Sequence, residues 1–105
     1  MKIGIIIETN EPEKAWNVFR FANTARKEHD VRVFLMGEAV ECESIHDAKY
    51  DVAEQLRDFV RAGGELLACR TCLESRQLEE ATQCPVSTMA ECVEVVIWAD
   101  RVVTF

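Results

Sequence analysis

The chain has 105 residues, 49% hydrophobic and 30% charged, a composition that builds a single globular domain with a real core over residues 1–105. Its formal net charge of -7 removes the basic face that nucleic acid or an anionic lipid surface requires. No segment reads as the roughly 18 apolar residues of a membrane span. The start, "MKIGIIIETN", is too short for a secretory core and lacks a small-residue cleavage site, so a cytoplasmic address is expected. There the five cysteines, Cys42, Cys69, Cys72, Cys84 and Cys92, are expected to be reduced thiols rather than a disulfide framework.

In chain order, "KIGIII" at 2–7 and "VRVFLM" at 31–36 are nearly continuous β-branched or apolar runs, the pattern of strands buried on both faces. Between them Asn10 is the expected N-cap, Pro12 falls in the first turn, and Glu11 and Glu13 suit the positive helix end. Ala15, Val18, Phe19, Ala22 and Ala25 then recur along one helical face. The polar stretch 37–49, "GEAVECESIHDAK", is expected to be a covering loop. Val52, Ala53, Leu56, Phe59 and Val60 line a second helix that Gly63-Gly64 stops.

"ELLA" at 65–68 is a third strand, followed by the cysteine pair and a third helix through Leu73, Leu78 and Ala81 to Cys84-Pro85. "PVST" gives a short fourth strand. "VEVVIW" at 93–98 has strand composition, yet Thr88 with Glu91 three residues later forms a capping box, and Met89, Cys92, Val93 and Val96 keep helical spacing. A helix is therefore predicted there, with "RVVTF" as the last strand. Alternating strands and helices imply an α/β fold: a three-layer, doubly wound, mostly parallel sheet of about five strands with helices on both faces.

Open α/β sheets carry their chemistry outside the carboxyl ends of the strands, and "ACRTCLESR" at 68–76 falls there. A thiol opening a helix meets free backbone N–H groups and the positive dipole end, both of which favour thiolate. Cys69, Cys72 and Arg76 lie at i, i+3 and i+7, so one face carries two sulfurs and a guanidinium, and Arg70 adds charge nearby. Glu80, one turn beyond Arg76, offers an ion pair instead. A zinc site needs four ligands, and Cys42, Cys84, Cys92, His29 and His46 are too scattered to complete one, so no metal and no cofactor are expected. Cys42 lies in the polar loop and could approach the site, whereas Cys84 and Cys92 are read as core. His46-Asp47 could serve as a base, although one loop histidine is more often solvated. No GxGxxG, P-loop or GxSxG occurs.

Three strings in order, "VRVFLMGEAV", "CRTCLESR" and "ADRVVTF", resemble the DsrE/DsrF-like sulfur-relay family, in particular its small YchN-like branch. The resemblance implies a three-layer α/β fold that assembles into homo-oligomers, commonly trimers or hexamers, and a cysteine after the third strand that carries sulfur as a persulfide. By position that residue is Cys69. A cysteine at the position of Cys72 is present in only part of the family, and Gln77 stands where the branch often has Gly after the Arg. With Arg70, Thr71 and Arg76 stabilising the anionic sulfur, the expected function is persulfide relay between donor and acceptor proteins bearing reactive thiols. Two other readings stay open: a dithiol–disulfide redox protein using Cys69 and Cys72, and a non-catalytic oligomeric binding protein.

Overall fold

The computed structural model describes residues 1–105. Five strands alternate with helices: β1 (Lys2–Ile7), α1 (Pro12–Ala25), β2 (Asp30–Leu35), α2 (Val52–Arg61), β3 (Glu65–Cys69), α3 (Arg70–Ser75), β4 (Val86–Ser87), α4 (Met89–Trp98) and β5 (Arg101–Thr104). Every pairing is parallel, in the order β4-β3-β2-β1-β5, so the expected "mostly parallel" sheet is wholly parallel.

Register sorts the strand residues into two faces, because side chains alternate along each strand. Ile5, Val33 and Leu66 form one row, and Ile7, Leu35 and Ala68 the next; all six are buried in the main core with α1 and α2. The opposite rows are Gly4–Arg32–Glu65 and Ile6–Phe34–Leu67. A Cβ added at Gly4 would stand 3.1 Å from Val95 and 3.2 Å from Ala99, which places α4 against that second face. Cys69 and its register partner Ser87 share this parity and therefore face α4 as well.

The helix ends follow local chemistry. The N-cap of α1 is Glu11, not Asn10: its carboxylate accepts from the Lys14 N–H at 2.9 Å and the Glu13 N–H at 3.4 Å, with Pro12 at the first helical position. Asn10 instead donates its amide to Glu41 at 3.3 Å. The capping box of α4 forms as its sequence suggests, Thr88 accepting from the Glu91 N–H at 3.3 Å. At the end of α2, Gly63 takes a left-handed φ of 90°, and the Gly64 N–H closes back on the Phe59 carbonyl at 2.9 Å.

Two further expectations are corrected. Residues 37–49 are not simply a loop: Gly37–Ser44 winds into a 3-10 helix that buries Ala39, Val40 and Cys42. These small apolar residues pin the segment to the core despite Glu38, Glu41 and Glu43 around them. The third helix stops at Ser75 rather than near Cys84. Gln77 adopts φ 56°, its N–H bonds the Glu74 carbonyl at 3.1 Å, and the Leu78 N–H reaches the Leu73 carbonyl at 2.9 Å. This double closure terminates a helix whatever apolar residues follow. Leu73 and Leu78 both still reach the core, which is why their spacing suggests one longer helix.

Candidate functional site

Cys69 closes β3 and caps α3 at once, the position a parallel sheet offers for chemistry. The residue is only 4% exposed and belongs to the core cluster, while Cys72, one turn on, is half-buried. The backbone N–H of Gly37 donates to the Cys72 sulfur over 3.1 Å. Gly37 follows β2, and its φ of 57° lies in the left-handed region where a side chain is strained. The turn at the end of one strand thus places a donor on the helix that begins at the end of the next.

Arg76 anchors the other side. Its Nη1 donates to the Cys72 carbonyl at 3.0 Å and its Nε to Glu41 at 3.2 Å. The alternative i+4 pairing of Arg76 with Glu80 is not made; Glu41, on the 3-10 helix, takes that role. Since Glu41 also accepts from Asn10, one carboxylate ties the β1–α1 turn, the 3-10 helix and α3 together. Arg70 and Thr71 are exposed, and their side chains form no hydrogen bond or ion pair. Of the three residues expected to stabilise an anionic sulfur, only Arg76 is brought against the thiols.

Burial pushes the Cys72 thiol above its ordinary range, and the nearness of Cys69 adds to the rise. The Gly37 N–H and the Arg76 charge act in the opposite direction. Burial also raises Cys92, with Cys69 as a second contributor, so Cys69 has a thiol neighbour on α3 and another on α4. Cys42 and Cys84 form a separate pair. Burial pushes each to about 12; Cys84 adds to the rise at Cys42, and Glu43 to that at Cys84. The Cys42 thiol points to the Thr9 carbonyl at 3.6 Å, so it does not approach Cys69 as the sequence allowed. The inward winding of the 3-10 helix carries it into the core instead.

His46 lies 3.3 Å from Asp51, the N-cap of α2, and serves that helix end. Asp47 accepts from the backbone of Tyr50 and Lys49, both at 2.9 Å, and these bonds hold its carboxyl below the usual range. No three His, Cys, Asp or Glu side chains are arranged to hold a metal ion. A surface hollow of about 580 Å³ lies between α1 and α2 and has neither Cys69 nor Cys72 in its wall. The residues that sequence reasoning missed are Gly37, Glu41, Ser87 and the approach of Cys92. Of these only Cys92 left a signal, being four residues past the Thr88 cap on the face that turns inward.

The sequence model of the DsrE/DsrF-like family matches residues 1–105. The chain belongs to the DsrE/DsrF-like family. Among solved structures, one of a conserved protein of unknown function from Bacteroides thetaiotaomicron superposes with a TM-score of 0.81 at 16% identity. The alignment covers 99% of this chain and 94% of that one, so the DsrE-like α/β fold extends over both. No curated protein matches the sequence. No helix of this family member is long and apolar enough to cross a membrane.

Proposed function

We propose that this protein is a sulfur relay in which Cys69 carries sulfane sulfur as a persulfide. The observation that supports it most is the placement of Cys69 at the carboxyl end of β3, with Cys72 and Cys92 as neighbouring thiols and Arg76 held close by Glu41. Membership of the DsrE/DsrF-like family, whose resemblance implies sulfur relay, points the same way.

In the loading step the Cys69 thiolate attacks the outer sulfur of a donor persulfide, R–S–SH. A Cys69 S–S bond forms, the donor S–S bond breaks, and RS⁻ leaves with the electron pair. Discharge repeats the exchange with an acceptor thiolate, which takes the outer sulfur and returns Cys69 as thiolate. At 4% exposure Cys69 is shielded from water, so both exchanges require a local opening around it. Cys72 gives a second exit: its thiolate attacks the inner sulfur, forms the Cys69–Cys72 disulfide and releases HS⁻. The test is intact-protein mass after incubation with a sulfane donor. A gain of sulfur that is lost in Cys69→Ala and kept in Cys72→Ala supports the carrier; sulfur retained by Cys69→Ala sinks it.

A second reading, a dithiol redox protein, is favoured by the contact of Cys69 with the more exposed Cys72. It predicts loss of two hydrogens on oxidation, abolished by either substitution. For the partners we propose a donor and an acceptor protein with reactive thiols, and further copies of the chain, in a trimer or hexamer. Supporting the homo-oligomer, α4 turns Met89, Val93, Val96 and Ile97 to solvent, Ile97 at 78% exposure, beside exposed Val102 of β5. Cytoplasmic residence is part of the same proposal, since free thiols persist there.

A further inference from the structure

Ser87 is the one buried side chain whose oxygen has no hydrogen-bond partner among the protein groups. It is 1% exposed, the only polar residue in an otherwise apolar buried set. Leaving a hydroxyl unpaired in such a place is unfavourable, and a Val or Ala would fit an edge strand without that cost. An orphaned buried hydroxyl therefore calls for an explanation.

Its position supplies one. Ser87 is the register partner of Cys69 across the β3–β4 pairing, and partners in a parallel pair project from the same face. That face carries α4, whose Cys92 also stands beside Cys69. The hydroxyl and the Cys69 sulfur thus project from the same face of adjacent strands. Ser87 is the last ladder residue of β4 and directly precedes the Thr88 cap, so the backbone holds it in place.

We propose that the Ser87 hydroxyl is a hydrogen-bond donor to the sulfur anion at Cys69, the thiolate before loading and the persulfide after it. The inference rests on the sulfur-relay reading for its persulfide half, while the thiolate half stands on the geometry alone. A hydroxyl with no resting partner is free to rotate towards whichever sulfur carries charge, and gives most when that charge is buried. No bond to Ser87 is made or broken and no proton leaves it. It lowers the energy of an anion that water cannot reach.

The experiment compares wild type, Ser87→Ala and Ser87→Thr, reading modification at Cys69 by peptide mass after iodoacetamide across a pH series and after a sulfane donor. In Ser87→Ala the alkylation profile of Cys69 is expected to move to higher pH, with a rate at neutral pH about tenfold lower, and sulfur loading is expected to fall in step. Ser87→Thr, which keeps the hydroxyl, restores both. Thermal unfolding separates this from a packing defect: removing an unpartnered hydroxyl leaves the melting temperature unchanged or higher. An alkylation profile in Ser87→Ala that overlies wild type overturns the proposal. If wild type takes up no sulfur at all, the relay reading fails, yet the alkylation series still decides whether Ser87 faces the Cys69 sulfur.

Discussion

Gly37 and Cys72 are joined by a backbone N–H to sulfur hydrogen bond of 3.1 Å that links the end of β2 to the first turn after β3. The bond depends on a left-handed turn at Gly37. Gly37→Ala is expected to cost about 1 kcal/mol of stability from the positive φ alone. Because that N–H lowers the Cys72 pKa, displacing it raises the pKa further, and alkylation of Cys72 near neutral pH slows. Denaturant melts with site-resolved alkylation check both; unchanged Cys72 reactivity counts against the bond.

Glu41 restrains Arg76, which otherwise lies beside Cys72. Glu41→Gln keeps the shape and removes the charge. Both partners of the pair are partly exposed, so stability is expected to change by less than about 1 kcal/mol. Reactivity is expected to move more, because an unneutralised guanidinium favours thiolate; Cys72 should alkylate faster in Glu41→Gln and slower in Arg76→Gln. Equal rates in all three proteins contradict this account.

Gln77 ends α3 abruptly by adopting a left-handed backbone. Glycine has no Cβ penalty there, so Gln77→Gly is predicted to stabilise the protein by about 0.5–1 kcal/mol, read as a shifted denaturation midpoint at constant slope. Gln77→Val should destabilise it. A loss of stability in Gln77→Gly shows instead that the Gln side chain makes a contact worth more than the strain.

Cys42 and Cys84 make stability fall with alkali. Burial raises both from an ordinary 9.0 to about 12, so between about pH 9 and pH 12 the unfolded chain releases protons that the folded one keeps. Their contribution is complete below the unfolded pKa and is lost as pH rises through the folded value, on the order of a few kcal/mol in total for the buried pair. Urea midpoints across that range are expected to drop, and to drop less steeply in Cys42→Ala than in wild type.

An oligomer built on α4 is tested by Ile97→Glu, which puts a charge on its most exposed apolar position. Sedimentation is expected to report a smaller species than wild type with the fold retained by circular dichroism. A wild type that sediments as a monomer ends the idea.

Much of the fold was readable because each long helix announces itself locally: Pro12 and the acidic first turn in α1, the Gly63 stop of α2, and the Thr88–Glu91 box that outweighed the strand-like "VEVVIW". Cys69 was readable too, as a thiol where an apolar run meets a helix start. What escaped was set by contacts distant in sequence. The Arg76 partner lies 35 residues away in Glu41, and nothing local distinguishes it from Glu80. The 3-10 helix buries only Ala39, Val40 and Cys42, too few for a periodicity. Ser87 and Cys69 become neighbours only through strand register, and Gln77 hides a turn that a Gly would have advertised.

The placement of β5 beside β1 has a consequence for synthesis. Ile3 pairs with Arg101, and the Lys2 N–H donates to Asp100 across a separation of 98 positions. Such non-local closure slows folding, because the intervening chain must be ordered before the contact stabilises anything. On the ribosome, β1 and β2 can pair early, but one flank of β1 stays open until most of the remaining chain has emerged. For that interval the nascent chain presents the apolar edge "IGIII" to its surroundings, and a chaperone that shields extended apolar segments would find its work there.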